Sequence, residues 1–362
     1  MIKLRRFNKI SHCSFFIFLI GKTSLLISAE NAQITPNPPI ENIPIIAGIE
    51  WTEGVTRTSY RWIVNDIDGT QCESPETFHV NFESRFKPLN GDLLLDSLGA
   101  ELRPSWFGSG VHVGNGPAQL TYNATDNVSL DSGTVSFWFA LDEDITHPIY
   151  DNWNRLFEYR IDDNNALYIE FSQDSDIITG VSQNESGYTG TWYLFVPIHQ
   201  SDWHHLVWTW DTHTHTQNLY LDGKIKCQNS NFDPPIGTSD TFHIGCAYWG
   251  SSNSYATIDE FRLYNRALKS VEIEALYLFP DQDIDAVLEP SMFDSGDVIQ
   301  FIYKTFNGQS WSTESSIGPY SVISHPIVES NLINDVLPAG SPTASFSLET
   351  SIPAQCRSLR NG

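Results

Sequence analysis

From about residue 77 to 279 the chain repeats one pattern: a short run rich in Val, Ile, Phe, Trp and Tyr, a break at Gly, Asn or Asp, then another run. The alternation is sharpest between His205 and Asp211. Leu206, Trp208 and Trp210 fall on one side there and Val207, Thr209 and Asp211 on the other, the period-two signature of a strand with one large apolar face. Asp222-Gly223 predicts a hairpin turn joining Leu219–Leu221 to Lys224–Cys227. Helical spacing is confined to Lys269–Leu278. Many short strands, punctuated at even intervals, predict an all-β sandwich.

The flanks carry a sparser version of the same pattern. Ile34–Pro44 is Pro-rich and predicts an extended linker. Ser59–Asn65 reads as a strand, Asp66–Gly69 as a turn and Thr77–Asn81 as the end of a further extended run. Val298–Phe306, Asn307-Gly308 and Gln309–Ser316 repeat the order of strand, turn and strand, and the two phrases laid over each other put Trp62 at the position of Phe301. Each resembles the closing hairpin of an immunoglobulin- or fibronectin-III-like module and is too short to be a complete one. The expected organisation is a leader at 1–29, a linker and partial module at 30–76, the main domain at 77–279, a second partial module at 280–323 and a tail of Ser, Pro and Ala at 324–362.

Composition changes this picture in three places. With 20 Lys+Arg against 44 Asp+Glu the formal charge is −24, a surface that repels nucleic acid and anionic lipid. Lys3, Arg5, Arg6 and Lys9 precede the apolar Phe15–Ile20, and Leu25–Ile27 is followed by Ser28 and Ala29, the layout of a secretory signal cut after Ala29. Lys22 splits that apolar stretch well below the ~20 residues that cross a bilayer, so the mature chain is expected to be secreted or on the cell surface without membrane insertion. Of the five cysteines, Cys13 would leave with the leader. Cys227 and Cys246 flank a turn-rich loop and are expected to form a disulfide, worth ~3 kcal/mol by loop closure; Cys72 and Cys356 have no assigned pairing.

The central segment resembles the laminin-G-like, or concanavalin-A-like, jelly rolls. Asp202-Trp-His-His-Leu-Val-Trp-Thr-Trp-Asp211 followed by Asn218-Leu-Tyr-Leu-Asp-Gly-Lys224 is similar to that family's W-H-H signature strand and L-Y-V-D-G-K hairpin. Ile258-Asp-Glu-Phe-Arg-Leu-Tyr-Asn-Arg-Ala-Leu268 looks like its closing strand, Ser270–Tyr277 like the helical turn after it, and Gly133–Phe139 like its early core strand. The resemblance spans roughly 200 residues with the motifs in order. It implies an all-β concanavalin-A-like jelly-roll sandwich with short flanking β-hairpin segments. Related jelly rolls often hold one structural Ca²⁺ between the closing-strand Asp and the N-terminal edge of the domain, which implies Asp259 with Glu83 or Asp96 as metal ligands.

Candidate chemistry is sparse. The glucanase branch of the resemblance carries an E-x-D-x-x-E strand, and no such phrase stands here. G-x-S-x-G, H-E-x-x-H and Gly-rich phosphate loops are equally missing from the sequence, so no catalytic residue is assigned. His213-x-His215 near His204 and His205 raises a zinc reading, and its position at a hairpin tip favours solvated turn residues instead. Tyr248, Trp249 and Tyr255 lie in a Gly/Ser/Asn loop before the closing strand, and Tyr150 and Trp153 in another; such rings stack on sugars or plug the sandwich end. Asn123, Asn127 and Asn184 head N-x-S/T sequons. The expected function is a secreted, non-catalytic adhesion module for an extracellular polysaccharide or a cell-surface protein. The rivals are a polysaccharide-degrading enzyme with paired carboxylates on one sheet face, and an architectural spacer.

Overall fold

A computed structural model of the chain describes residues 32–49, 57–69, 72–73 and 75–324 apart from 93, 115–118, 146, 148, 151–152, 173–176, 195–197, 248–251, 281–285 and 307–308, together with short backbone strands at 4–5, 18–20, 328–330, 343–344, 348–350 and 355–357. The expected leader and tail fall almost wholly outside these residues. Among the described residues no helix is long and apolar enough to cross a membrane.

The apolar alternation builds two antiparallel sheets. A front sheet of eight strands runs Glu101–Ser105, Gly108–Val113, Ala256–Tyr264, Ser132–Leu141, His204–Asp211, Thr216–Leu221, Lys224–Asn229, with Glu76–Val80 also pairing the closing strand Ala256–Tyr264. A back sheet of seven runs Gly187–Leu194, Ile177–Asn184, Ala166–Ser172, Asn154–Arg160, Thr241–Ile244, Leu120–Asn123, Leu94–Asp96. Leu206, Trp208 and Trp210 are buried between the sheets as their spacing predicts. Phe261 of the front sheet stacks on Phe242 of the back sheet with centroids 6.0 Å apart. Asp222 and Gly223 both take positive φ, 54° and 72°, which suits a two-residue hairpin turn.

The outer face of the front sheet is apolar as well. The helix Ser270–Leu278 covers it with Ile273 and Leu276, and these pack with Val207, Tyr220, Tyr264 and with Ile46 from the N-terminal flank. Arg266 fixes the helix start by donating to both oxygens of Glu272, at 2.8 and 2.6 Å.

The two flanks are halves of one unit. Val298–Phe306 pairs antiparallel with Arg57–Val64, so Phe301 stands opposite Trp62 and Tyr303 opposite Tyr60. The phrases that read as copies are adjacent strands. A facing sheet is made from Ala32–Thr35, Ile45–Ile49 and Ala286–Leu288, and Ile45, Ala47 and Leu288 bury against Trp62 and Phe301. Ile40 bridges Ile323, so the Pro-rich stretch expected to be a linker is tied along the edge of this small sandwich. The turn after Arg57–Val64 sits at Asn65-Asp66, with φ of 49° and 63°, earlier than the Asp66–Gly69 turn expected from the glycine; Asn and Asp tolerate that conformation. Asn307-Gly308 lies outside the described residues.

The jelly roll is thus inserted within the small sandwich. Its first and last strands are neighbours, with Glu76 opposite Tyr264 and Asn265 N–H donating to Pro75 O at 2.9 Å, so entry and exit lie side by side, as domain insertion requires. A buried ion network pins this junction. Glu260 accepts from His79 Nε2 at 2.8 Å and from Arg262 Nη2 at 2.8 Å, and Arg262 Nη2 also donates to Pro280 O at 3.1 Å.

Candidate functional site

The back sheet turns Leu156, Phe157, Leu167, Ile169 and Phe171 toward the core. Alternate residues therefore face away from the front sheet, and there the chain places charge. Arg155 is opposite Glu170, Glu158 opposite both Tyr168 and His243, and Thr121 opposite both His243 and Asp96. One row across the sheet reads Val181, Tyr168, Glu158, His243, Thr121, Asp96, and the next Thr179, Glu170, Arg155. A register shift between Arg155 and Phe157 lets Leu156 and Phe157 both enter the core without displacing Glu158 from the far face.

These groups pair with one another, and only Arg155 Nε among them is left without a hydrogen bond, among the described residues. Arg155 Nη1 donates to Glu170 Oε2, and Arg155 Nε is 3.5 Å from Glu158 Oε1. Arg160 donates from Nε and Nη2 to the same Glu158 oxygen at 3.0 and 2.9 Å. The Arg155 guanidinium lies 3.4 Å over the Tyr168 ring, a cation–π stack. Thr121 Oγ1 and His243 Nδ1 are 3.1 Å apart. Burial pushes the Glu170 carboxyl up to about 7 against the pull of Arg155, and lowers His243 against that of Glu158. Glu158 is fully buried although it belongs to no inter-sheet core. Aromatic rings mark two corners of this face. Tyr188, paired with Gln183 and electrostatically coupled to Tyr168, is 67% exposed, and Trp153, two residues before Arg155, is 38% exposed.

Asp259 and Glu83 come together elsewhere, on the outer side of the front sheet. A bulge in the closing strand, with Glu260 at φ 50°, turns the two successive acids Asp259 and Glu260 to that side. Asp259 accepts from Ser105 Oγ at 2.5 Å and from Glu260 N–H at 2.8 Å, and Glu83 accepts from Ser109 N–H at 2.6 Å. Burial, then the charges of Glu260 and Glu83, push the Asp259 carboxyl up to about 8. Gly108 suits its place beside them because its φ of 123° is one that residues with a Cβ rarely adopt. Two carboxylates and a hydroxyl converging with no lysine or arginine bonded to them among the described residues form a donor set of the chemistry calcium takes. Asp96 is not part of it: its pairing with Thr121 puts it on the back sheet.

The remaining expected site residues scatter. Tyr150 is buried at the sandwich end, edge-on to Phe171 at 5.1 Å with its hydroxyl bonded to the Glu143 carbonyl, and Tyr255 is partly buried against the same core. Tyr248 and Trp249 lie outside the described residues. Cys227 and Cys246 do not form the expected disulfide. Cys227 is on the front-sheet edge strand, while Cys246 follows the back-sheet strand Thr241–Ile244, is buried and donates to Gln119 Oε1 at 3.0 Å, and both are free thiols. The side chains of Cys72 and Cys356 are outside the described residues. Each sequon asparagine uses its amide within the protein: Asn123 on Asp92, Asn127 on the Asn123 carbonyl, Asn184 on Asp233.

His213 and His215 stay at their hairpin tip, and among the described residues no cluster of three or more metal-binding side chains forms. His205 is buried, 2.9 Å from Ser136 Oγ and stacked on Trp138. Burial lowers its pKa to about 3. The folded state therefore refuses a proton that the unfolded chain accepts near pH 6.5, so this residue's stabilisation is complete above pH 6.5 and is lost as pH falls toward 3. At ~1.4 kcal/mol per pH unit, His205 should cost about 2 kcal/mol on going from neutral pH to pH 5. Urea midpoints at the two pH values should show a smaller acid loss in His205→Asn than in the unmodified chain.

Residues 114–274 match the sequence profile of the concanavalin A-like lectin/glucanases superfamily. Solved structures similar to the chain include the binding domain of Paraclostridial Mosquitocidal Protein 1, at 15% identity and TM-score 0.48, covering 56% of this chain and 52% of that one. The botulinum neurotoxin serotype G binding domain is similar at 12% identity and TM-score 0.48, covering 56% and 50%. The botulinum neurotoxin serotype D ligand binding domain in complex with N-acetylneuraminic acid is similar at 14% and 0.47, covering 56% and 50%. The chain spans about half the length of these structures. No curated protein matches it. Residues 114–274 thus combine a match to the concanavalin A-like lectin/glucanases profile with the two antiparallel sheets of a jelly-roll sandwich.

Proposed function

We propose that the chain is an exported, non-catalytic carbohydrate-binding protein whose ligand face is the far side of the back sheet. The observation that carries this reading is the Glu158–Arg155–Glu170 network with Tyr168. A sheet face turned away from the core usually needs only solvated side chains, and a buried, ion-paired polar array there suits the floor of a binding site. Both carboxyls are held by arginines, and Arg155 stands between them, which supports binding over hydrolysis. Retention of a soluble polysaccharide by the full chain, with no release of reducing ends, is the expected result; release of reducing ends would sink it.

The enzymatic reading has one observation in its favour, the Glu170 carboxyl raised to about 7, the range of a general acid. If it holds, Glu170→Gln should abolish release of reducing ends while retention persists.

The Asp259–Glu83–Ser105 cradle is proposed to take Ca²⁺, which would join the closing strand to the N-terminal edge of the jelly roll. Added calcium should raise the melting temperature by several degrees over a chelator control, since a ligand at about a hundred times its Kd contributes about 2.7 kcal/mol. Asp259→Asn should erase that difference; an equal shift in the variant would remove Asp259 from the site.

A further inference from the structure

We infer that the chain forms a twofold dimer in which the front-sheet edge strand Glu101–Ser105 pairs antiparallel with the same strand of a second copy, centred on Leu102. The contact lies on a different flank from the back-sheet face and does not depend on what that face binds.

Both sheets of the jelly roll end at one flank, the front sheet at Glu101–Ser105 and the back sheet at Leu94–Asp96, and residues 97–100 join the two edges. Leu95, Leu98, Leu102 and Trp106 lie in this stretch, each at least 42% exposed. An open strand edge carrying apolar side chains is a template for another strand, and proteins usually blunt it with charges that repel one. Here the two charges have opposite signs: Glu101 and Arg103 flank Leu102. They stand opposite His112 and Gly110 and share one face of the sheet, while Leu102, opposite the core residue Val111, turns to the other.

Antiparallel pairing about Leu102 sets Glu101 against Arg103 of the second copy and Arg103 against its Glu101, and the two Leu102 side chains meet on the axis. A register centred on Glu101 or on Arg103 would set like charges together. Continued past the strand ends, the pairing about Leu102 brings Trp106 toward Leu98 of the second copy, so exposed apolar side chains are covered in the same step. Both charges are available for this. Glu101 is exposed and in no ion pair among the described residues. Arg103 keeps a 3.5 Å contact with Asp142 and is 41% exposed. Pro104 lacks an N–H, which keeps the new ladder short. A twofold contact uses up the same strand of both copies, so assembly closes at two.

Sedimentation equilibrium of the full chain at physiological salt, where repulsion between two chains of charge −24 is screened beyond ~8 Å, tests this. The expected result is a mass that rises with concentration to twice the monomer's and no further, with a Kd of roughly 1–100 μM. Glu101→Arg and Arg103→Glu should each raise the Kd at least about tenfold, because like-charge pairs replace opposite ones. Glu101→Arg also makes the chain less negative, so a dimer governed by net charge would tighten instead. A one-to-one mixture of the two variants should restore the dimer, since one then carries arginine at both positions and the other glutamate. A chain that stays monomeric to ~200 μM would overturn the inference. So would a dimer that either variant leaves unchanged, which moves the contact to another face, or a mixture that stays monomeric, which removes the register. Growth beyond two copies would overturn the twofold.

Discussion

Gly180→Val should leave the jelly roll unable to hold its native core. Gly180 lies mid-strand in the back sheet, and a Cβ there would fall 2.4 Å from the ring of Trp208, which is fully buried. Trp208 cannot retreat, because Trp210 packs on it with centroids 4.9 Å apart. Overpacking usually costs ~1–3 kcal/mol and more where nothing can move, against a total stability of ~5–15 kcal/mol for a domain. We expect loss of near-UV signal or a urea midpoint lowered by the equivalent of at least about 3 kcal/mol. Gly180→Ala should fall between. A valine variant as stable as the unmodified chain would mean that the two sheets do not meet at this point.

Trp62→Ala should open the small sandwich while the jelly roll remains folded. Trp62 and Phe301 sit 4.8 Å apart at the centre of a core drawn from both flanks. Truncating a buried Trp costs ~3–5 kcal/mol, a large share of what so small a unit has. The jelly roll keeps its own core, which shares none of these side chains. Limited proteolysis should therefore cut within Arg57–Val64 and Val298–Phe306 in the variant and leave Ser132–Leu141 and His204–Asp211 intact. Unchanged resistance of the flanking strands would show that they do not depend on a common core.

Much of the jelly roll is legible in the sequence because its information is local. Leu206, Trp208 and Trp210 alternate cleanly, Asp222-Gly223 states its turn, and Lys269–Leu278 states its helix, found at Ser270–Leu278. The flanks are illegible for the opposite reason. Trp62 and Phe301 meet across an inserted domain, and each flank alone shows a hairpin with no partner. The far face of the back sheet was hidden by one bulge: in Asn154-Arg-Leu-Phe-Glu-Tyr-Arg160 the adjacent Leu156 and Phe157 break the period of two that would have put Arg155 and Glu158 on one side. The signal that remained was the matching Tyr168-x-Glu170 on the next strand. Asp96 pairs with Thr121 on the back sheet, away from Asp259, and nothing in the sequence says which sheet a strand joins. Tyr150 shows that an aromatic in a Gly/Asn loop reads the same whether it plugs a core or lines a rim.

The most direct measurement is hydrogen–deuterium exchange of the full chain with and without a soluble polysaccharide that it retains. Binding on the far face should slow exchange in Asn154–Arg160, Ala166–Ser172 and Ile177–Asn184 and leave the small sandwich and the Asp259 cradle unchanged. Protection confined to the loop before Ala256–Tyr264, or to the strands flanking Trp62, would contradict the account and move the ligand site off the back sheet.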